Sequence, residues 1–443
     1  MDQLNATSSE RNWAGNYTYE ARRLHRPTSV EHVQEIVAKA EKVRVLGSRH
    51  SFNGIADSVE LLSLSAIPPQ IGVDRQASTV SFAAGLTYGS LAEALMTDGL
   101  ALHNLASLPH ISVAGAVATG THGSGDANGN LATAVASLEL VTSSGEIVSA
   151  SRGEPGFDGM VVGLGALGAV TRLTLDVEPA YEARQRVFEG LEWKMLFDHF
   201  NEITSSGYSV SIFTRWGRLI DQVWVKTRVT DAPESVRSEL FGAVASTLDR
   251  HPILGVDPIN CSPQLGRPGP WSERLPHFRM GFTPSIGDEL QSEYLLPRQH
   301  AVPAIEAVRA LAEKIRPVLQ VCEIRTMTAD QLWMSPAYGR DTVGMHFTWQ
   351  PDQARVESIL VELEAALAPF HARPHWGKLF AARADAIASL YERLPDFSRL
   401  ADRLDPRGAF RNTWFEACVV GAASVREVEG GLFTPPAEAV RYD

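Results

Sequence analysis

The sequence contains few cysteines, no long apolar segment and no surplus of basic residues. Only three of its 443 residues are cysteine (Cys261, Cys322 and Cys418), too few and too scattered for a disulfide framework or a zinc site. No apolar run approaches the ~18–20 residues that span a bilayer, and the N-terminus lacks the basic and apolar parts of a secretory signal. The formal net charge of -12 argues against a nucleic-acid-binding surface. We therefore expect a reduced, cytoplasmic protein with no membrane, nucleic-acid or evident protein partner.

Length and composition predict a globular enzyme of two domains. The chain is longer than the roughly 100–200 residues typical of one domain, and its 44% hydrophobic and 21% charged residues are ordinary for a globular protein. Glycine is frequent in the N-terminal part and sparse after Pro179, where tryptophan and phenylalanine become more common. We expect a mixed α+β fold with a first domain over residues 1–180, a second over 181–380, and a C-terminal segment, 381–443, that returns to the first domain.

One glycine-rich segment satisfies the GxGxxG pattern of dinucleotide-binding proteins. That pattern, at Gly163–Gly168, is functional only when a strand precedes it and a helix follows it, so that the helix N-terminus meets the pyrophosphate. Residues Val170–Val177 instead alternate apolar or β-branched residues with polar ones, which predicts a strand. We therefore expect no Rossmann site and no nicotinamide cofactor.

Two other loops are candidates for binding a phosphate group. Leu46–Phe52 is a tight loop in which a histidine is flanked by small residues, and Ser107–Gly125 is rich in glycine, alanine, serine and threonine. Small residues expose successive backbone N–H groups, and hydroxyls add further donors, so such a surface holds a pyrophosphate without a lysine. Taken alone, the second run is equally well interpreted as a connector without a ligand.

Two predicted strands each carry a pair of polar residues at a spacing of two. Glu323 and Arg325 lie in the segment Gln320–Thr326, and His346 and Thr348 lie in a second strand-like segment. Residues two apart on a strand point to the same face. Each pair alone is typical of a solvated sheet face, but two such pairs also form a wall suited to a hydroxylated ligand, whose OH groups need partners once desolvated.

One pair of histidines has the spacing of metal ligands on a helix. His371 and His375 are four residues apart, which would place both on one helical face. Pro374 lies between them and disfavours a continuous helix. We therefore expect no metal site.

Further segments of distinctive sequence lie along nearly the whole chain. They are Asn12–Asn16, Ala106–Gly115, Cys322–Thr326, Ser335–Thr342, His346–Trp349 and Arg373–Lys378. Together with the two loops, these segments resemble the vanillyl-alcohol-oxidase family of flavoproteins, and most closely its alditol-oxidising members. The resemblance implies an FAD-binding domain plus a substrate domain built on an antiparallel sheet.

The resemblance also implies FAD as the cofactor, covalently attached through His50. The implied FAD site comprises Gly47, Ser48, Arg49, His50, Ser51, Ser107, Ser112, Gly115, Ala118, Thr119, Gly120, Thr121, His122, Val170 and His375. Arg49 departs from the family pattern, in which a glycine is expected at this position.

The activity that the resemblance implies is oxidation of the terminal primary alcohol of a polyol, such as xylitol or sorbitol, to the aldose. Oxygen would be reduced to hydrogen peroxide, with the flavin carrying the redox chemistry. The implied roles are Arg325 and Lys378 for the developing alkoxide, His346 for its proton, and Ser107, Glu323 and Thr348 for the other hydroxyls. We expect Arg325 to lie in a solvent-accessible pocket.

Three alternative functions remain compatible with the sequence. An aldonolactone oxidase would share the flavin domain and a similar acid–arginine wall. A flavin dehydrogenase would use an electron acceptor other than oxygen. A non-catalytic flavin- or sugar-binding protein would keep the N-terminal loops but would not need the pair Glu323 and Arg325.

Overall fold

The computed structural model describes residues 10–229, 237–281 and 289–421. The N-terminal residues considered for a secretory signal, up to Ser9, and residues 422–443 of the predicted C-terminal segment lie outside the described residues. Within the described ranges no helix is long and apolar enough to cross a membrane.

The N-terminal part of the chain forms small sheets and short helices. Its strands are β1 (Arg23–His25), β2 (Val43–Val45), β3 (Glu60–Leu62), β4 (Gly72–Asp74), β5 (Thr79–Ala83), β6 (Leu100–Ala101), β7 (Val135–Val141), β8 (Ile147–Ser151), β9 (Ala169–Asp176) and β10 (Glu178–Pro179). Its helices are α1 (Val30–Lys39), α2 (Tyr88–Thr97), α3 (Val113–Ala118) and α4 (Phe157–Val161). Strands β1, β3 and β2 form a parallel sheet. Strands β4, β5, β9, β7 and β8 form an antiparallel sheet in that order.

The middle of the chain contributes one large antiparallel sheet. Its strands are β11 (Glu182–Leu191), β12 (Ser209–Thr214), β13 (Ile220–Arg228), β14 (Glu239–Leu240), β15 (Ala243–Ala245), β16 (Gly269–Pro270), β17 (Leu290–Pro297), β18 (Leu319–Met327), β19 (Thr342–Trp349) and β20 (Arg373–Pro374). In the described residues their order is β14-β15-β11-β13-β12-β18-β19-β17-β20, with β16 paired to β11. The helices of this part are α5 (Trp193–Asp198), α6 (Phe200–Thr204), α7 (Trp271–Arg274), α8 (Ala301–Ala310), α9 (Ala312–Ile315) and α10 (Gln353–Leu367).

The central strands β18 and β19 carry apolar side chains on one face of the large sheet and polar pairs on the other. On β18 and β19, Ile324 and Phe347 belong to the core that also contains the apolar faces of α8 and α10. Because side chains alternate along a strand, Glu323 and His346 project from the opposite face. The register pairs these two residues directly across the strands. Helix packing on one face therefore presents the polar pairs on the other.

The last described segment packs against the N-terminal part of the chain. It contains α11 (Ala384–Leu390), α12 (Leu394–Leu404), α13 (Thr413–Phe415) and a π-helical turn at Glu416–Val420. The guanidinium of Arg407 donates to the carbonyl of Ser143 at 2.7 Å, and the Asn412 amide donates to the carbonyl of Asp57 at 2.7 Å. Phe397 and Phe415 share a core with α2 and β7. These contacts join the two ends of the described chain.

The GxGxxG segment lies between two elements that do not suit a dinucleotide site. Helix α4 precedes Gly163, and β9 begins at Ala169, directly after Gly168. The predicted strand after the glycines is therefore confirmed. No helix N-terminus follows these glycines, so the segment lacks the geometry that the motif requires.

Candidate active site

One large cavity lies between the N-terminal loops and the polar face of the large sheet. Its volume is about 630 Å³, within the roughly 300–1,000 Å³ usual for a ligand pocket. The loop wall of this cavity is formed by cavity-lining residues of three segments, 44–56, 106–122 and 164–165. The sheet wall is formed by the cavity-facing residues of β17, β18 and β19 together with Lys378. Both sets of sequence-predicted residues thus face one space.

Two interlocking loops build the loop wall. The Ser112 backbone N–H donates to Ser48 Oγ at 3.0 Å, which ties the loop after β2 to the start of α3. A Cβ added to Gly47 would lie only 2.4 Å from Ser112 Oγ, and one added to Gly115 would lie 2.6 Å from the same atom. Glycine at position 47 lets the two loops approach each other, and glycine at position 115 leaves room for the Ser112 side chain one turn earlier.

His50 is half-buried in the loop wall, with both of its ring nitrogens shielded from solvent. Within the described part of the chain, neither ring nitrogen makes a well-directed hydrogen bond. The imidazole stacks on Trp13 with ring centroids 5.3 Å apart. Burial lowers the pKa of His50 to about 4, so the ring is neutral at pH 7. The cavity therefore presents a neutral imidazole whose ring nitrogens are shielded from solvent.

The arginine that replaces the expected glycine keeps a glycine-like backbone. Arg49 has φ +64°, in the left-handed region that favours glycine. Its guanidinium Nη1 lies 2.8 Å from Glu10 Oε2. Arg49 therefore adopts a backbone conformation that glycine would adopt without strain.

Buried charges form the sheet wall. Arg325 Nη2 donates to Glu293 Oε1 at 3.0 Å, and its Nε lies 3.6 Å from Glu323 Oε1. Arg325 lines the cavity, but only 6% of its surface is exposed. The guanidinium lines the cavity but sits between two carboxylates, where burial is offset by charge pairing. The neighbouring carboxylates raise the pKa of Arg325 against the opposing effect of burial.

His346 is a neutral base on the same wall. Its Nδ1 lies 3.2 Å from Glu293 Oε2, and a carboxylate only accepts hydrogen bonds, so Nδ1 carries the proton. The lone pair is then on Nε2, which is 3.4 Å from Thr348 Oγ1. Burial lowers the pKa of His346 to about 4, helped by Lys378 and opposed by Glu293. The imidazole is therefore able to accept a proton at neutral pH.

Lys378 extends the sheet wall towards the loop wall. Its ammonium contacts the side-chain oxygen of Gln291 and lies 5.4 Å from the centroid of the Phe52 ring. Burial lowers the pKa of Lys378 to about 8, and the nearby carboxylate of Glu293 opposes that shift. The group is therefore a buried cation at pH 7.

Sequence reasoning missed Glu293, which is at the centre of the sheet wall. Its carboxylate contacts His122 Nε2 at 2.9 Å as well as Arg325 and His346. Burial alone would raise its pKa, but the interactions with these three side chains hold it well below the usual range. A signal was present, because Gln291 and Glu293 repeat the two-residue spacing of the other polar pairs.

The structure brings most of the predicted site residues to the cavity surface. Those that line it are Gly47, Ser48, Arg49, His50, Ser51, Ser107, Ser112, Gly115, Ala118, Thr119, Thr121, His122, Glu323, Arg325, His346, Thr348, His375 and Lys378. Gly120 and Val170 do not. Gly120 is in the turn after α3 with φ +63°, and Val170 lies in β9 beside a second, much smaller cavity.

The two histidines with metal-ligand spacing do not share a helical face. His371 has φ +53° and ends a short 3-10 turn, whereas His375 follows β20. His375 contacts Thr121 Oγ1 at 3.4 Å and accepts from the Gly377 backbone N–H at 3.1 Å. His375 therefore belongs to the cavity and not to a metal pair.

Two family models match the chain. Residues 21–151 match a model described as FAD binding domain. Residues 288–418 match a model described as D-arabinono-1,4-lactone oxidase. The first match includes the loop that carries His50, and the second includes β17, β18, β19 and Lys378.

Curated relatives and solved structures match nearly the full length. Alditol oxidase from Streptomyces sp. is 48% identical over 415 residues, which cover 93% of this chain and 99% of the relative. L-gulono-1,4-lactone dehydrogenase from Mycobacterium tuberculosis is 29% identical over 438 residues, covering 91% and 97%. Cholesterol oxidase from B. sterolicum superposes with a TM-score of 0.76 at 14% identity, covering 92% of this chain and 96% of that one. This similarity confirms the predicted architecture of an FAD-binding domain plus an antiparallel-sheet domain.

Proposed function

The chain belongs to the FAD-dependent alditol oxidases of the vanillyl-alcohol-oxidase family, and we propose that it oxidises the terminal primary alcohol of a polyol such as xylitol or sorbitol to the aldose. The observation that carries this proposal is the single cavity shared by a backbone-rich loop wall and a wall of paired charges. Charged and hydroxyl groups on one sheet face suit a ligand with an OH on every carbon.

The loop wall suits FAD. Gly47 allows the two loops to approach closely, and the ring of His50, whose nitrogens are shielded from solvent, is chemically able to form the covalent bond to the flavin that we propose. When bound, FAD supplies the hydride acceptor, and oxygen reoxidises it to give hydrogen peroxide. We propose residues 1–180 with 381–443 as the FAD-binding domain and 181–380 as the substrate-binding domain.

The side chains of the sheet wall divide the work on the alcohol. His346 Nε2 accepts the hydroxyl proton, because Nδ1 is held by Glu293. Arg325 and Lys378 stabilise the oxygen as negative charge develops on it. The remaining hydroxyls are bound by Ser107, Glu323 and Thr348, all of which line the cavity.

Cys261, Cys322 and Cys418 are free thiols, which suits the cytoplasmic location that we propose.

Oxidation of an aldonolactone is the second candidate function. It is favoured by the match of residues 288–418 to the D-arabinono-1,4-lactone oxidase model. That range contains the sheet-wall strands, so the two candidates differ in the substrate and not in the site. One relative is named a dehydrogenase, so use of an electron acceptor other than oxygen is a further alternative to be tested.

A peroxide-release screen of the purified protein separates these candidates. Xylitol, sorbitol, mannitol and glycerol are compared with aldonolactones while oxygen consumption and product are followed. We expect polyols to consume oxygen and to yield about one hydrogen peroxide per aldose. Turnover of lactones alone would replace the polyol assignment. Turnover that reduces a dye without consuming oxygen would identify a dehydrogenase, and turnover that needs added NAD would overturn the flavin mechanism.

A further inference from the structure

Glu323, His277 and Lys226 form a chain of three buried groups, of which the first two line the cavity and the third lies behind them. His277 Nε2 lies 2.7 Å from Glu323 Oε1, and Lys226 Nζ lies 3.1 Å from His277 Nδ1. Lys226 is 1% exposed and His277 is 5% exposed. Lys226 lies on β13, two strands away from Glu323 on β18. It touches no group to which a role has been given above.

The Lys226 ammonium has one polar neighbour for each of its three N–H groups. The ammonium also donates to the backbone carbonyls of Leu275 and Pro276. An ammonium has three donors and no acceptor, so the third N–H is directed at His277 Nδ1. Burial lowers the pKa of Lys226 to about 7, and the two carbonyl acceptors favour its protonated form. Nδ1 of His277 must then be an acceptor.

That assignment determines the tautomer of the neutral His277 ring. Burial lowers the pKa of His277 to about 4, and Lys226 acts in the same direction. With Nδ1 accepting, the single proton of the ring is on Nε2, from which it is donated to Glu323. Glu323 therefore stays an acceptor, and both of its contacts, with His277 and with Arg325, are made by Oε1. Its Oε2 is left for a ligand on the cavity side.

Packing keeps the ring in this position. Phe213 and Trp224 approach the His277 ring edge-on, with centroids 5.5 and 5.3 Å away. The His277 backbone N–H donates to the carbonyl of Ser107 at 3.1 Å. The loop that carries His277 therefore contacts two of the residues assigned to substrate hydroxyls, one through its backbone and the other through its side chain.

We propose that Lys226 is a positioning residue for substrate binding, which acts through His277 to keep Glu323 an oriented, acceptor-only carboxylate. This inference rests on the proposed polyol function. The positioning of Glu323 would contribute to specificity, because an acceptor-only carboxylate binds a ligand more tightly when the ligand places a hydroxyl donor next to it. A lactone carbonyl, which has no hydrogen to donate, gains nothing from it.

The test compares Lys226→Met, His277→Gln and His277→Leu with the wild-type holoenzyme. Glutamine accepts through its amide oxygen and donates through its amide nitrogen, so it preserves the relay that leucine breaks. We expect Lys226→Met and His277→Leu to raise the KM for xylitol about 10-fold or more with kcat changed less than about 3-fold, and His277→Gln to stay within about 3-fold of wild type. Assays are run about one pH unit below the pKa of Lys226, so that the wild-type amine is charged.

A second comparison tests whether the effect passes through Glu323. In a Glu323→Gln background, Lys226→Met should raise KM by less than about 2-fold, because the two changes act on one contact. Equal KM values for His277→Gln and His277→Leu, or an undiminished Lys226→Met effect in that background, would overturn the proposal. If Lys226→Met does not fold, the comparison of His277→Gln with His277→Leu tests the proposal instead. Wild-type enzyme that oxidises no polyol contradicts the proposed function instead.

Discussion

The loop wall and the sheet wall face the same cavity, but they contact a ligand in different ways. The loop wall offers backbone groups of two loops that Gly47 lets approach closely, together with a neutral imidazole. The sheet wall offers paired charges, with Glu293 between Arg325 and His346. Under the proposed function, the difference teaches that the large cofactor would be held by shape and backbone groups, and the reacting alcohol by a few strongly polarised side chains.

The largest expected effect concerns the proposed covalent link between His50 and the flavin. His50→Ala should transfer all flavin to the supernatant on acid precipitation, whereas the wild-type precipitate stays yellow and fluorescent. The physical reason is that the ring nitrogens of His50 make no well-directed hydrogen bond in the described chain, so the ring is free to bond to the flavin. His110→Ala is the matched control, because His110 lies on the nearby loop but its ring contacts the Met280 carbonyl. Flavin that is wholly soluble in wild type would refute the linkage.

The next effect is on the sheet wall. Arg325→Ala should lower kcat/KM by about 10²–10³, the usual cost of losing one donor to developing charge. Because Arg325 is buried between Glu293 and Glu323, the change should also destabilise the fold by about 3–5 kcal/mol. Arg325→Lys keeps the charge but not the planar fork, so its kcat/KM should lie between those of wild type and Arg325→Ala. Turnover per folded, flavin-loaded molecule separates the effects, and a wild-type value for that quantity would make Arg325 structural.

The pH profile tests the charge states on the sheet wall. Burial lowers the pKa of His346 to about 4 and that of Lys378 to about 8. The imidazole acts as a base only above its pKa, and the ammonium stabilises the alkoxide only below its own. We therefore expect kcat/KM to rise through pH about 4 and to fall through pH about 8. Lys378→Arg should move the alkaline limb upwards, since a guanidinium stays charged; an unmoved limb would assign that limb to another group.

The smallest expected effect is steric and is confined to the loop wall. Gly47→Ala places a Cβ 2.4 Å from Ser112 Oγ, an overpacking of about 1–3 kcal/mol that should lower the flavin-to-protein ratio a few-fold. The double variant with Ser112→Ala should restore it. Gly344→Ala on β19 is the control, since its Cβ would meet Glu293 Oε1 at an ordinary 3.5 Å. If Gly47→Ala and Gly344→Ala lose flavin equally, the proposed distinction between the loop wall and the sheet wall is wrong.

Much of this arrangement was predictable because it depends on local spacing. The pairs Glu323/Arg325 and His346/Thr348 predicted two strands with polar residues on one face, and β18 and β19 confirm those strands. The alternation after Gly168 likewise predicted β9. These patterns are readable because the side-chain period of a strand is two residues.

Other features depend on contacts between distant segments. Nothing in the sequence near His277 indicates that Glu323 or Lys226 will lie beside it. The pairing of Arg325 with Glu293 was missed for the same reason, since Glu293 comes from another strand. The left-handed backbone conformation of Arg49 was not predictable from the sequence, because residues with a side chain disfavour it.

The most direct test of the account is rapid mixing of Glu323→Gln holoenzyme with xylitol. Flavin reduction is followed without oxygen, and reoxidation of the reduced enzyme by oxygen is followed separately. The substitution keeps the shape of the side chain but adds donors to an acceptor-only position. We predict that the apparent Kd for xylitol rises about 10–100-fold, the worth of one hydrogen bond to a charged group, while flavin content and the rate of reoxidation stay at wild-type values. An unchanged Kd, or a slower reoxidation, would contradict the separation of the sheet wall from the loop wall.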